Sequence, residues 1–215
     1  MTTKVSLISY TRGVRGQSMK ELVEHMARIS NPQNQNKNVS VGKLWNYLQK
    51  HKHWSPFEMV SICLEINTTR AIGRQLLRHR SFSFQEFSQR YADPTEPLGF
   101  SFQEARTQDL SNRQNSHKTE DRGLMRFWEA AQARVKDIAL SEYIQALSNG
   151  IAKEQARALL PEGLTNSRLY MNGTLRSWLH FIEVRTDVSA QEEVRQLAEE
   201  CSTIITNLIE GETNL

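Results

Sequence analysis

Residues 57 to 67 read FEMVSICLEIN, and their period of two decides the fold. Val60, Ile62, Leu64 and Ile66 fall on one face, with Glu58 beginning that face, which predicts a half-buried strand. At Thr69 to Leu77 the spacing becomes helical. Ile72 and Leu76 turn inward there, and Gln75 stands three residues before Arg78 on a neighbouring face. Upstream of the strand, Val41 to His51 spaces Leu44, Tyr47 and Leu48 like one helical face, and that helix stops before Pro56. Earlier still, KVSLISY (4 to 10) predicts a first strand, and Ser18 with Glu21 forms a capping box before the helix ELVEHMARI. NPQNQNKN (31 to 38) predicts a polar turn.

Residues 92 to 122 combine the Pro-bounded turn DPTEP with the polar run SNRQNSHKTEDRG, which predicts a long loop, either a functional cover or disordered. Three helices are expected after it. The last is the clearest, because Val194, Leu197, Ala198, Cys201, Ile204, Ile205 and Leu208 recur at spacings of three and four. These elements predict an α+β fold, a mostly antiparallel sheet with flanking helices and a helix-rich C-terminal half. One domain over residues 1 to 215 is the expectation for this length.

The net charge is only +3 with 24% charged residues, so a histone-like or membrane-coating surface is excluded. No apolar stretch reaches the roughly 18 residues of a membrane helix, and MTTKVSLISY lacks the apolar core of a secretory signal. A cytoplasmic protein without a membrane partner is expected. Cys63 and Cys201 make no disulfide framework and no C-x-x-C pair occurs, so reduced thiols in core positions are predicted. His51 and His53 alternate like metal ligands but lack a convincing third or fourth, so no metal is expected.

Against this neutral background, residues 78 to 90 (RHRSFSFQEFSQR) concentrate Arg78, Arg80 and Arg90 with His79, Glu86 and three serines. Guanidinium forks and hydroxyls match phosphate oxygens, and charge assistance roughly doubles each hydrogen bond. A phosphate-bearing ligand follows. Neither G-x-G-x-x-G nor a P-loop occurs, so side chains must hold it. Taken singly, these arginines are as apt to be solvated charges, Glu58 a strand start, Glu86 an ion-pair partner, and Phe82, Phe84 and Phe87 core. Arginines alternating with aromatics also suit single-stranded nucleic acid, a rival of another class.

Arg78, His79 and Arg80, followed after seven residues by Ser88, resemble the signature of the flavin-dependent thymidylate synthases, and the likeness continues through Glu86, Arg90 and Tyr91. His53, Ser55, Pro56, Phe57 and Glu58 resemble the family's H-x-[ST]-P-F-E segment. Arg157 with Leu160 and Pro161, LRSWLHF from Leu175 to Phe181, and Arg185 followed by Ala190 and Gln191 are further landmarks. Gln85 stands where many members carry asparagine, and Thr174 replaces an asparagine expected two residues before Arg176.

The resemblance implies reductive methylation of dUMP to dTMP, with 5,10-methylenetetrahydrofolate giving the carbon and NADPH reducing a bound FAD. It implies dUMP binding by Gln75, Arg157, Arg185 and the run Glu86, Phe87, Ser88, Gln89 and Arg90. FAD would meet His53, Ser55, Arg78, His79, Arg80, Glu86, Arg176 and His180. Arg185 would be the catalytic group, stabilising charge on the pyrimidine oxygens. No cysteine nucleophile is required by this chemistry. The family's usual homotetramer with shared active sites is implied as well, and a sister hydroxymethylase on the same scaffold is the nearer rival.

Overall fold

In the computed structural model, which describes residues 4–35 and 42–211, the chain begins β1 (Lys4–Tyr10), α1 (Met19–Ala27), α2 (Pro32–Gln35) and α3 (Lys43–Lys50). A 3-10 turn (Ser55–Met59), β2 (Ser61–Thr69), α4 (Arg70–Leu76) and β3 (Phe82–Glu86) follow. Next come β4 (Arg106–Gln108), β5 (Ser116–Lys118), α5 (Arg122–Ser148), α6 (Lys153–Ala156) and a second 3-10 turn (Arg157–Leu159). The chain closes with β6 (Asn166–Thr174), α7 (Leu175–Arg185) and α8 (Glu192–Glu210). The main sheet is antiparallel in the order β1-β2-β6-β3, and the fold is the expected α+β with a helical C-terminal half.

Alternation along β2 puts Ile62, Leu64 and Ile66 in the core, each fully buried, after an equally buried Val60. The strand begins at Ser61, later than expected, because Pro56 opens a 3-10 turn in which Phe57 is buried against the rings of Trp45 and Trp54. Glu58 therefore lies on that turn and not on the strand face. Of the strands the sequence did not predict, β6 is the one inside the main sheet, between β2 and β3. Leu169, Met171 and Gly173 alternate inward while Arg168, Tyr170 and Asn172 stay exposed. Gly173 is required there: a Cβ would sit 2.4 Å from the ring of Phe82 on β3.

Helices α1, α4, α7 and α8 cover the inner face, with the predicted stripe of α8 buried at Val194, Leu197, Ala198, Cys201, Ile205 and Leu208. Cys63 lies on the opposite face of β2, half-buried, which corrects its expected core place. Burial pushes both thiols up, so neither is a ready nucleophile at neutral pH. In α3 the buried residues are Trp45 and Leu48, whereas Tyr47 is exposed and stacks on His51 instead of the core. Val41 and Asn36 to Asn38 lie outside the described residues, and Pro32–Gln35 forms a helical turn.

The segment 92 to 122 is not a featureless loop. Phe100 bridges Thr165, the backbone N–H of Asn166 donates to the Gly99 carbonyl at 3.0 Å, and β4 pairs with β5 as a hairpin. Arg106 pins that hairpin to Glu192 and Glu193 at the start of α8, and Lys118 joins Glu192 at 3.1 Å. Ions rather than apolar anchors fix it, which is why its composition suggested a loop.

Glu24 is fully buried on α1 and accepts from the backbone N–H groups of Gly42 (2.7 Å) and Trp45 (3.0 Å), while pairing with Arg28 at 3.0 Å. It caps α3 from a neighbouring helix. Glu24→Ala is expected to lower the unfolding free energy by about 2 kcal/mol, since hydrogen bonds to a charged group are worth about 1.5–3 kcal/mol. Urea denaturation reads this directly, and an unchanged midpoint would mean that α3 starts without that carboxylate.

Candidate active site

Arg185 sits in the last turn of α7 and reaches the C-terminal end of α4. Its Nε–H donates to His79 Nε2 at 2.8 Å and its Nη2 to the Gln75 carbonyl at 3.2 Å. The imidazole lies edge-on to Phe181, with ring centroids 5.0 Å apart, and to Phe82 at 6.4 Å. Burial, then the positive charge of Arg185 and the nearby His180, lowers the His79 pKa to about 4. Burial also lowers that of Arg185, and the charge of Arg78 adds to the effect. Among the described residues no carboxylate pairs with Arg185. It is a held, unneutralised cation.

The segment Arg78–Ser81 is a turn. The N–H of His79 donates to the Leu76 carbonyl and that of Phe82 to the His79 carbonyl, so the chain reverses between α4 and β3. Arg78 and Arg80 are exposed on this turn. The side chain of Gln75 donates to Gln191 at 2.7 Å, leaving its main-chain carbonyl for Arg185.

Beside this cluster opens a cleft of about 660 Å³ walled by Lys52, Trp54, Glu58, Arg176, Leu179 and His180. Arg176 pairs with Glu58 at 2.5 Å, and Thr174 donates its hydroxyl to the other Glu58 oxygen at 2.8 Å. Arg176 first, then Thr174, holds the Glu58 carboxyl below its usual range. Thr174 also caps α7, accepting from the Ser177 N–H at 3.3 Å. The threonine that departs from the family pattern is therefore a cap and a carboxylate anchor at once. His53 and Ser55 are exposed at the end of α3 and the start of the 3-10 turn, with the His53 ring 5.8 Å from Tyr47.

A second group gathers at the other end of β3. Glu86 accepts from Ser167 Oγ at 2.8 Å and pairs with Arg70 at 3.4 Å, and the N–H of the half-buried Phe87 donates to the Arg168 carbonyl. The Ser88 carbonyl accepts from Tyr91 and Ala92, closing a turn. Gln89 is buried with its Nε2 unpartnered among the described residues. Arg90 pairs with Glu154 at 3.1 Å, and Arg157 donates to the Glu154 carbonyl at 3.1 Å. Gln75, Arg78, His79, His180 and Arg185 thus gather at one end of β3, and Glu86 to Arg90 with Arg157 at the other. Five residues of strand separate them, about 17 Å at roughly 3.4 Å per residue.

Sequence reasoning missed Glu154, and it marked Gln191 as a landmark without its bond to Gln75. Glu154 had a faint signal in standing three residues before Arg157, whereas the bond from Gln75 to Gln191 spans 116 positions and leaves no local trace.

The cleft falls within the roughly 300–1,000 Å³ typical of small-molecule sites. Trp54 and Leu179 offer an apolar wall and Lys52, Arg176 and His180 a donor rim, which suits a planar heteroaromatic with an anionic tail such as a flavin nucleotide.

Residues 6–209 match the family model described as thymidylate synthase complementing protein. Over 181 residues, 84% of this chain and 81% of the relative, the sequence is 48% identical to the flavin-dependent thymidylate synthase of Synechocystis sp.. The chain belongs to the flavin-dependent thymidylate synthase family. It is also 44% identical over 200 residues to a probable flavin-dependent thymidylate synthase of Paramecium bursaria Chlorella virus 1, covering 92% of this chain and 91% of that one. Its fold is similar to that of the UMP/dUMP methylase PolB from Streptomyces cacaoi bound with 5-Br dUMP, with a TM-score of 0.79 and 27% identity. That match covers 96% of this chain and 90% of the methylase. Family membership makes the protein a flavin-dependent methyltransferase, and the nucleic-acid-binding alternative is not favoured.

Proposed function

We propose that this flavin-dependent thymidylate synthase converts dUMP to dTMP, taking the carbon from 5,10-methylenetetrahydrofolate and the electrons from NADPH. The observation that carries the proposal is Arg185, a half-buried cation fixed at two points and not neutralised by a carboxylate among the described residues. Carbon 5 of uracil becomes nucleophilic when negative charge on the pyrimidine oxygens is stabilised. A preorganised guanidinium does this without reorganising in the transition state. Reduced FAD supplies a hydride when bound.

The remaining residues bind and orient. Ser88, Arg90 and Arg157, with the neighbouring Glu86, Phe87 and Gln89, are proposed to hold dUMP at the far end of β3, where the two guanidiniums gather on Glu154. Gln75 contributes through the carbonyl that fixes Arg185. Arg176 and His180, with Arg78, Arg80, His53 and Ser55, would hold FAD, and His79 and Glu86 would line its approach. Arg176→Ala is expected to weaken FAD binding by about tenfold to a hundredfold, the worth of one charge-assisted contact. Flavin fluorescence titration measures it, and an unchanged affinity would remove Arg176 from the cofactor site.

We further infer that each site is shared between copies in a homotetramer. A phosphate held at one end of β3 lies about 17 Å along the strand from the Arg185 end of the same chain, farther than a nucleoside monophosphate extends. A second copy would supply the missing end. The 27-residue helix α5 supports this, since it buries little beyond Gln132 and Tyr143 and leaves Phe127, Val135, Ile138 and Ile144 exposed. Among the described residues no helix is long and apolar enough to cross a membrane, and we propose a cytoplasmic enzyme.

The test is anaerobic turnover with dUMP, methylenetetrahydrofolate and NADPH. A yellow protein bleached by NADPH and a nucleotide heavier by one CH2, a methyl in place of a hydrogen, are expected. Hydroxymethyl product would favour the sister hydroxymethylase, and a colourless protein that refuses FAD and leaves dUMP unchanged would sink the proposal.

A further inference from the structure

The contact between Arg185 and His79 joins two side chains 106 positions apart, and it is an arginine donating to a histidine. A guanidinium carries five N–H donors in one plane. His79 Nε2 takes the Nε–H at 2.8 Å and the Gln75 carbonyl takes one hydrogen of Nη2 at 3.2 Å. Two fixed points define the plane, and the other three donors (five minus two) remain for a ligand. The imidazole is itself fixed by the edges of Phe181, which is fully buried, and Phe82, which packs on Trp178 at 4.8 Å. The orientation of Arg185 is thus inherited from the aromatic core through one ring.

We propose that His79 is the positioning residue for Arg185, a neutral imidazole whose bare Nε2 locks the guanidinium plane over the pyrimidine site. This rests on Arg185 acting on the pyrimidine, as argued above. The lock requires the tautomer with hydrogen on Nδ1, because a proton on Nε2 would set N–H against N–H. The charged and titratable groups that bear on the ring are Arg185 and His180 from α7, and Arg78 adds its charge at Arg185 from the turn before His79. None is a carboxylate, so nothing there favours an imidazolium. An ordinary histidine would be partly protonated near neutrality. His79 stays neutral until pH falls to about 4, so the lock holds above that value and opens as pH drops through it.

Two measurements on the full-length protein test the assignment. Nitrogen-15 NMR of the labelled imidazole should show Nε2 unprotonated and hydrogen-bonded at pH 7, and titrating near pH 4. In anaerobic turnover, normalised to bound flavin, His79→Leu should lower kcat about a hundredfold with a smaller change in the KM for dUMP. His79→Gln, whose Oε1 can accept from the Arg185 Nε–H, should recover at least tenfold of that loss. The proposal is overturned if Nε2 carries the proton at pH 7, if His79→Leu keeps kcat within threefold, or if His79→Gln is no better than His79→Leu. Should the leucine variant fail to fold, the tautomer in the unaltered protein still decides. Failure of the unaltered protein to methylate dUMP would sink the function and leave the tautomer result standing.

Discussion

Arg185→Ala is expected to lower kcat by about a hundredfold or more, because losing one preorganised donor at a developing oxyanion costs about 3 kcal/mol. The loss should fall on kcat and kcat/KM together, as it does for a contact made in the transition state. Arg185→Lys should recover little. An ammonium cannot place one donor on His79 Nε2, another on the Gln75 carbonyl and still present a flat edge to a ring. Stability should hardly fall in Arg185→Ala, since removing a half-buried cation near Arg78 relieves repulsion. Single-turnover assays under nitrogen, paired with urea denaturation, separate the two effects. A kcat within threefold of the unaltered enzyme would remove Arg185 from the chemistry.

The second large effect is expected at Trp178, which carries no catalytic role. Its indole is fully buried, its Nε1–H donates to the Ile62 carbonyl at 3.0 Å, and its ring packs on Phe82 and Phe181 with centroids 4.8 and 5.7 Å away. Trp178→Ala removes that volume from a core that cannot fully collapse, at a cost of about 3–5 kcal/mol. A domain stable by about 5–15 kcal/mol loses much of its margin. Because α7 is the helix that bears Arg176, His180 and Arg185, the variant should also release flavin readily. Trp178→Phe keeps most of the packing and gives up the hydrogen bond, so a loss nearer 1–2 kcal/mol is expected. Equal urea midpoints for the alanine variant and the parent would refute this account of how α7 is seated.

Features whose physics is local were legible in the sequence. The capping box at Ser18 and Glu21 forms with both reciprocal hydrogen bonds, β2 alternates as spaced, and the apolar stripe of α8 is buried almost residue for residue. What escaped depends on distant partners. In β6 only Leu169 and Met171 are large apolar residues on the inner face, so its alternation was faint, although it pairs along its length with β2. The hairpin of β4 and β5 is fixed by Arg106 meeting Glu193, 87 positions away. At the site, the arginine-rich window marked the chemistry, but not that its two ends belong to different clusters. Nor did spacing show that Arg90 and Arg157 converge on Glu154, or that His79 faces Arg185.

The central place of β6 also bears on how the polypeptide emerges from the ribosome. Its partner β2 is complete at Thr69, whereas β6 begins only at Asn166, roughly a hundred positions later. At about 5–20 residues per second, that interval lasts roughly 5–20 s. Throughout it, the nascent chain presents an unpaired hydrogen-bonding edge beside exposed isoleucine and leucine, the kind of surface that chaperones cover and aggregates capture. A message truncated before Asn166 would therefore yield an insoluble product rather than a smaller folded one.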